Sequence, residues 1–274
     1  MPMKKDDSGR RWVEMEFLVP GTPEQVWQAI ATGSGMSAWF TPTTVDERVG
    51  GAITFDFGDQ NCDDPSPPGV VTAWEPPARF VYEEPGWNGD APPLATEVEV
   101  TSRSGGTCVV RMVHSLFTEK DDWDDELESF EGGWPGFFDV LRIYLRHHAG
   151  QPAATVHAMA AHPDGMSASW SRLITALDTV AQYGARIQTR EDAPRLSGVV
   201  ERVKQDAHSC EVMLRLDEPC RGTAVFGSCP MGDETRVMVT LFLYGPDAAA
   251  AAVAEQPKWA AWLGELVDGV KAAT

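Results

Sequence analysis

Two alternating runs joined by Gly105-Gly106 set the frame for this chain. Residues 96–102 put Thr96, Val98 and Val100 on one face and Glu97, Glu99 and Thr101 on the other. Residues 107–115 put Cys108, Val110, Met112 and His114 opposite Val109, Arg111 and Val113. A period of two is the signature of a half-buried strand, and a glycine pair between two such runs closes a hairpin. Further runs lie upstream: residues 12–19 with Val13, Met15 and Phe17 on one side, 49–57 with Ile53, Phe55 and Phe57, then 69–74 and 79–82 flanking a turn at Pro76-Pro77. Proline donates no hydrogen bond to a central ladder, so that pair separates strands.

Helices bracket these strands. Thr22 precedes Pro23 and stands three before Gln25, the pattern of a capping box with proline in the first turn. The helix that follows carries Val26, Trp27 and Ile30 inward and is expected to stop at 32–35, with a short helical turn at 36–40. A longer amphipathic pattern over 131–149 presents Phe137, Phe138, Leu141, Tyr144 and Leu145 before Gly150 and Pro152. The first half therefore reads as α+β: an antiparallel sheet with one long helix laid across a face.

Residues 151–165 hold Ala, Pro and Gly and read as a linker between a domain at 1–150 and another at 166–274. The second domain begins with a helix over 167–183 carrying Trp170, Leu173, Ile174, Leu177 and Val180. Strands follow at 185–189, 195–204, 210–216, 222–227 and 235–244, and a helical stretch over 246–273 is interrupted near Pro257. Both halves end as sheet and then helix.

Charge narrows the function classes. The formal net charge is −19, and residues 1–150 carry 26 acidic against 11 basic side chains. A phosphate-tracking surface needs the opposite sign, so no nucleic acid is expected as a partner. No run approaches the roughly 20 apolar residues of a membrane span. Much of the acid sits at 119–131, around Lys120. That run lacks the glycine turn of a calcium loop and reads as a solvated face preceding the long helix, or as a docking surface for a basic protein. Five cysteines with no C-x-x-C spacing, and a polar segment 1–11, give the expectation of reduced thiols and a cytoplasmic protein. His147, His148, His157 and His162 have no metal-ligand spacing, so no metal and no cofactor are expected, and helix-end solvation is the reading for His147 and His148.

Eight short segments, in order, carry a resemblance. They are Val26-Trp27-Gln28-Ala29-Ile30, Trp39-Phe40-Thr41-Pro42, Val49-Gly50-Gly51, Gly69-Val70-Val71, Pro77-Ala78-Arg79-Phe80-Val81-Tyr82, Gly105-Gly106-Thr107, Val113-His114-Ser115-Leu116-Phe117 and Gly132-Gly133-Trp134. Over 12–150 the chain resembles the activator-of-Hsp90-ATPase-like family of the START/Bet v 1-like (SRPBCC) superfamily. The resemblance implies a helix-grip fold, with the sheet wrapped on the long helix. The second half looks like a partial relative, through Leu196-Ser197-Gly198-Val199-Val200 and a late helix with Trp259, without the first strand and paired short helices.

The resemblance also implies an apolar pocket between helix and sheet. By alternation Ile53, Phe55, Tyr82, Val98, Val110, Met112 and His114 point inward. Phe138 and Leu141 face them from the helix, and Trp39 and Trp134 stand near the mouth. The alternative for each is plain core. A small apolar or amphipathic molecule is the expected partner, bound without chemistry. His114 would orient a hydroxyl or carbonyl. Two other readings stay open: a cochaperone-like adaptor using the acidic face on a basic partner or chaperone, and an aromatase/cyclase-type enzyme with His114 as acid/base.

Overall fold

The computed structural model describes residues 3–57, 67–162, 165–178, 182–231 and 234–271. The chain divides into two compact units, Met1–Gly150 and Gln151–Thr274.

In the first unit β1 (Lys4–Lys5) and β2 (Arg10–Pro20) lead to helices α1 (Pro23–Ala31) and α2 (Gly33–Met36). Then come β3 (Thr43–Val45), β4 (Ala52–Phe55), β5 (Gly69–Glu75), β6 (Arg79–Glu84), β7 (Leu94–Arg103) and β8 (Thr107–Phe117), and the long helix α3 (Asp124–His147). The sheet order is β1-β2-β8-β7-β6-β5-β4-β3, with antiparallel pairing throughout. The first long strand is thus zipped to the last, from Arg10 opposite Phe117 to Pro20 opposite Thr107. Helix α1 starts as expected: the Thr22 side chain accepts from Gln25 N, and the Gln25 side chain accepts from Thr22 N. Helix α1 stops at its C-cap Thr32 as expected, and the short helix expected at 36–40 begins earlier as α2, capped by Thr32 accepting from Gly35 N at 3.0 Å. Gly35 is required there, because a Cβ would stand 1.8 Å from the Gln28 carbonyl.

Helix α3 begins seven residues before the expected 131. Its apolar stripe, Leu127, Phe130, Trp134, Phe138, Leu141 and Leu145, keeps helical spacing straight through Gly132, Gly133 and Pro135. Burial of that stripe outweighs the local breakers. Asp124, Asp125 and Glu126 sit in the first turn, where the helix dipole favours acid. Arg11, only 5% exposed, donates to both carboxylate oxygens of Asp124, tying this end to β2. On the sheet's outer face Arg111 bridges Glu14 at 2.6 Å and Glu99 at 2.8 Å.

In the second unit the span read as a linker contains β9 (Ala153–His162), followed by α4 (Met166–Ala176). Strands β10 (Arg186–Gln188), β11 (Ser197–Gln205), β12 (Cys210–Glu218), β13 (Gly222–Met231) and β14 (Glu234–Tyr244) precede α5 (Ala248–Lys271). The order is β10-β11-β12-β13-β14-β9, so β9 pairs along its whole length with the last strand. This is the first strand that the sequence reading found missing. Its alanines hide the alternation, in which Val156, Ala158 and His162 are buried. As an edge strand it also borrows partners: the Gln256 side chain accepts from His157 N and donates to His157 O. Helix α5 runs unbroken through Pro257 and covers Phe226 with Trp259, both fully buried. One helix, α4, stands where the first unit has two. The expected end of that helix at 183 includes residues outside the described set.

Candidate functional site

The inner face of the first sheet is built in register rows. One row crosses β5, β6, β7, β8 and β2 as Val71, Tyr82, Thr96, His114 and Val13. Its ends are apolar and its centre is polar, and every member is at most 3% exposed. The row on one side is apolar, with Phe80, Val98, Met112 and Met15. On the other side Glu84, Leu94, Leu116 and Arg11 lie in line.

Within the polar row Thr96 Oγ1 and His114 Nδ1 are 2.9 Å apart, and Tyr82 stands opposite Thr96 in register. The second ring nitrogen, His114 Nε2, is buried and has no hydrogen-bond partner among the described residues. Buried imidazole nitrogens are normally satisfied, so this one stands out. Burial holds the His114 pKa down to about 3, which makes the ring neutral at any ordinary pH. Burial also raises the Tyr82 phenol well above its usual value. A neutral imidazole presents either an N–H or a lone pair at Nε2, according to which way the Thr96 hydroxyl points. The row can therefore meet a carbonyl or a hydroxyl without carrying charge.

Helix α3 supplies aromatic walls. The His114 ring stacks on Phe130 with centroids 4.4 Å apart and on Trp134 at 5.6 Å. Trp87, whose indole N–H donates to Pro92 O at 2.9 Å, lies 5.9 Å from Phe130. Phe40 stacks on Trp134 at 5.0 Å and meets Phe137 and Phe55 edge-on. Phe57 and Phe137 are the exposed members of this cluster, at 54% and 38%.

The residues singled out in the sequence separate into two groups. His114 stacks on Trp134, and Tyr82 stands in the same row beyond Thr96, with Phe55 5.7 Å from Tyr82 and Ile53 buried on β4. Val110, Phe138 and Leu141 are fully buried, and Phe138 lies flat on Phe17, the register partner of Val110, at 3.7 Å. They belong to a packed layer, as do Val98 and Met112 beside them. Trp39 is not at a mouth. It is 1% exposed, packs on Phe138 at 5.5 Å and donates its indole N–H to Ala29 O at 2.9 Å. Trp134, at 7% exposed, is also buried, and Phe57 and Phe137 are the exposed members of its ring cluster instead.

Thr96, Phe130 and Glu84 were missed. Thr96 and Glu84 fall on the inward side by simple alternation with Val98 and Tyr82, but polar side chains carry no hydrophobic signal. Phe130 was hidden by the late start assigned to α3. Glu84 is half-buried at the end of β6, and burial pushes its carboxyl up to about 7.

The histidines near the junction do not gather. His147 is exposed, while His148 is buried at the end of α3 rather than solvated; His157 and His162 lie on β9. Among the described residues no group of three His, Cys, Asp or Glu is placed to hold a metal. Among them also, no helix is long and apolar enough to cross a membrane.

A family model described as activator of Hsp90 ATPase homolog 1-like protein matches residues 20–146. Among solved structures, CalU16 from Micromonospora echinospora is 18% identical, with 53% of this chain and 81% of that one covered at a TM-score of 0.42. DynU16, a protein of the dynemicin biosynthetic locus, is 18% identical over 96% of this chain and 99% of its own, at a TM-score of 0.42. The Aha1 dimer from Colwellia psychrerythraea is 21% identical, covering 50% and 96% at a TM-score of 0.40. Comparison with curated proteins finds no match. The segment matched by that family model runs from the end of β2 to the last turn of α3, so the likeness to the activator of Hsp90 ATPase homolog 1-like family lies within the first unit.

Proposed function

We propose that the first unit binds a small amphipathic molecule between α3 and the inner face of the sheet, with the ligand's hydroxyl or carbonyl on His114 Nε2. The observation that carries this reading is the unsatisfied Nε2, held by Thr96 on its far side and flanked by Phe130 and Trp134. A buried polar atom left open costs about 1–3 kcal/mol, and a ligand that fills it recovers that cost. The surrounding rings suit a flat or aromatic body.

The low pKa of His114 supports a hydrogen-bonding role over proton transfer, because a useful acid or base titrates near the working pH. Binding is therefore favoured over an aromatase/cyclase-type reaction at this residue. The test uses Nile red, a neutral polarity-sensitive dye, with the full chain. Its emission should rise and shift to the blue on mixing, and 2-naphthylmethanol should displace it. In His114→Phe, which keeps the aromatic stack, naphthylmethanol should lose about tenfold in affinity, the worth of one buried hydrogen bond. A protein that takes up no dye, or a variant with unchanged affinity, contradicts the reading.

A further inference from the structure

Glu84 is the one carboxylate in its register row, and no described residue of the first unit answers it. Its neighbours across the strands are Leu94 and Leu116, 3% and 1% exposed. On the β5 side, a Cβ built on Gly69 would stand 2.9 Å from Ile53 Cγ2 and 3.2 Å from Glu84 Cγ. The Glu84 stem thus lies over the Gly69 backbone beside the buried Ile53. Tyr82, two residues earlier, is the nearest titratable group on the same face of its strand, and Glu83 points to the opposite, exposed face. The helix face packed over the sheet offers Leu127, Phe130, Trp134 and Phe138, none of which titrates. At the far end of the row Arg11 is committed to Asp124. Among the described residues Glu84 has no hydrogen bond and no ion pair, and no ionised neighbour contributes to its raised pKa; burial alone does.

A half-buried carboxylate among apolar side chains is costly unless something compensates it. Glutamine would fill the same volume without the charge. The carboxylate lies two strands and two residues from His114, about 12 Å between backbones from strand spacing and rise. That span matches one small molecule touching both.

We infer that Glu84 selects ligands that carry a basic nitrogen, so that the site takes amphipathic amines with a hydroxyl or carbonyl at one end and an ammonium group at the other. The inference rests on the binding reading above and adds the charge of the ligand to it. The carboxylate supplies a charge-assisted hydrogen bond to the ammonium group, in surroundings where such a bond is little screened. An anionic ligand of the same shape is repelled. Because Glu84 ionises near neutrality, the preference for an amine is present above pH 7 and fades below it.

Three matched probes separate the possibilities: 6-(aminomethyl)-2-naphthol, the neutral 6-(hydroxymethyl)-2-naphthol and the anionic 6-hydroxy-2-naphthoic acid, each displacing Nile red from the full chain. At pH 8 the amine should bind about tenfold tighter than the neutral diol, as one charge-assisted contact implies. At pH 6, and in Glu84→Gln at pH 8, that ratio should fall to about twofold or less. The variant should also bind the acid better than the parent does. Glu83→Gln, on the exposed opposite face, should leave the ratio as it was. Equal binding of amine and diol at pH 8, or a preference that survives Glu84→Gln, overturns the inference while leaving diol binding intact. A preference abolished equally by Glu83→Gln overturns it too, in favour of general surface charge. If the diol itself does not bind, the binding reading falls and this inference with it.

Discussion

Replacing Glu84 by glutamine should make the protein more stable at pH 8, and by an amount that depends on pH. Burial lifts the Glu84 carboxyl from an ordinary 4.5 to about 7. Between those values the folded chain holds a proton that the unfolded chain has released. Stability therefore falls as pH rises from about 4.5 through 7 and levels off above it. A rise of that size at ~1.4 kcal/mol per pH unit amounts to roughly 3 kcal/mol, and water reaching a half-buried group reduces it to about 2. Glu84→Gln removes the penalty, so it should equal the parent near pH 4.5 and exceed it by about 2 kcal/mol at pH 8. Two other groups shape the pH profile. His114, held down to about 3, contributes stability that is lost as pH falls below 6.5, the opposite sign. Glu14, held at about 2 by Arg111 and Lys4, contributes stability that is lost only in acid. The difference between parent and variant cancels both terms, since neither residue contacts Glu84 directly. Urea unfolding followed by tryptophan emission suits the full chain, because seven of its ten tryptophans lie in residues 1–150. A variant equally stable or less stable than the parent at pH 8 would refute the argument that this carboxylate is unpaired.

Four further outcomes follow from packing and charge. His114→Phe should flatten the loss of stability between pH 6.5 and 3, measured by the same unfolding series, since the buried ring no longer resists a proton that the unfolded state accepts. Asp124→Asn should cost about 3 kcal/mol by leaving the buried Arg11 guanidinium without its carboxylate, and hydrogen exchange should show the first turns of α3 opening first. Thr22→Ala breaks the capping box of α1 and should cost about 1 kcal/mol in urea. Phe138→Ala empties a fully buried position stacked on Phe17 and should cost about 3–5 kcal/mol.

The strands of the first unit were legible because their inner faces alternate cleanly, and the capping box of α1 was legible because Thr22, Pro23 and Gln25 encode it locally. What stayed hidden depends on tertiary context. The start of α3 at Asp124 is set by burial of Leu127 and Phe130 across two glycines and a proline. Strand β9 is carried by its pairing with β14, since alanine alternates too weakly to announce a strand. In the site, the apolar walls could be read by periodicity, and His114 by its place among them. The hydrogen bond between Thr96 and His114 could not, nor could the open Nε2, because satisfaction of a buried polar atom is a property of neighbours distant in sequence. Trp39 shows the converse: a large aromatic at a turn reads as a rim residue until its indole N–H is seen to be spent on Ala29.

The binding account turns on one nitrogen, and long-range ¹H–¹⁵N correlation of the histidine rings observes it directly. In the free protein, one of the six histidines should keep the shifts of a neutral ring down to pH 5. Saturation with 2-naphthylmethanol should then move its Nε2 resonance, leave Nδ1 nearly unchanged, and have no such effect in His114→Phe. A His114 resonance that titrates near 6.5, or an Nε2 shift that stays put while naphthylmethanol binds, would contradict it.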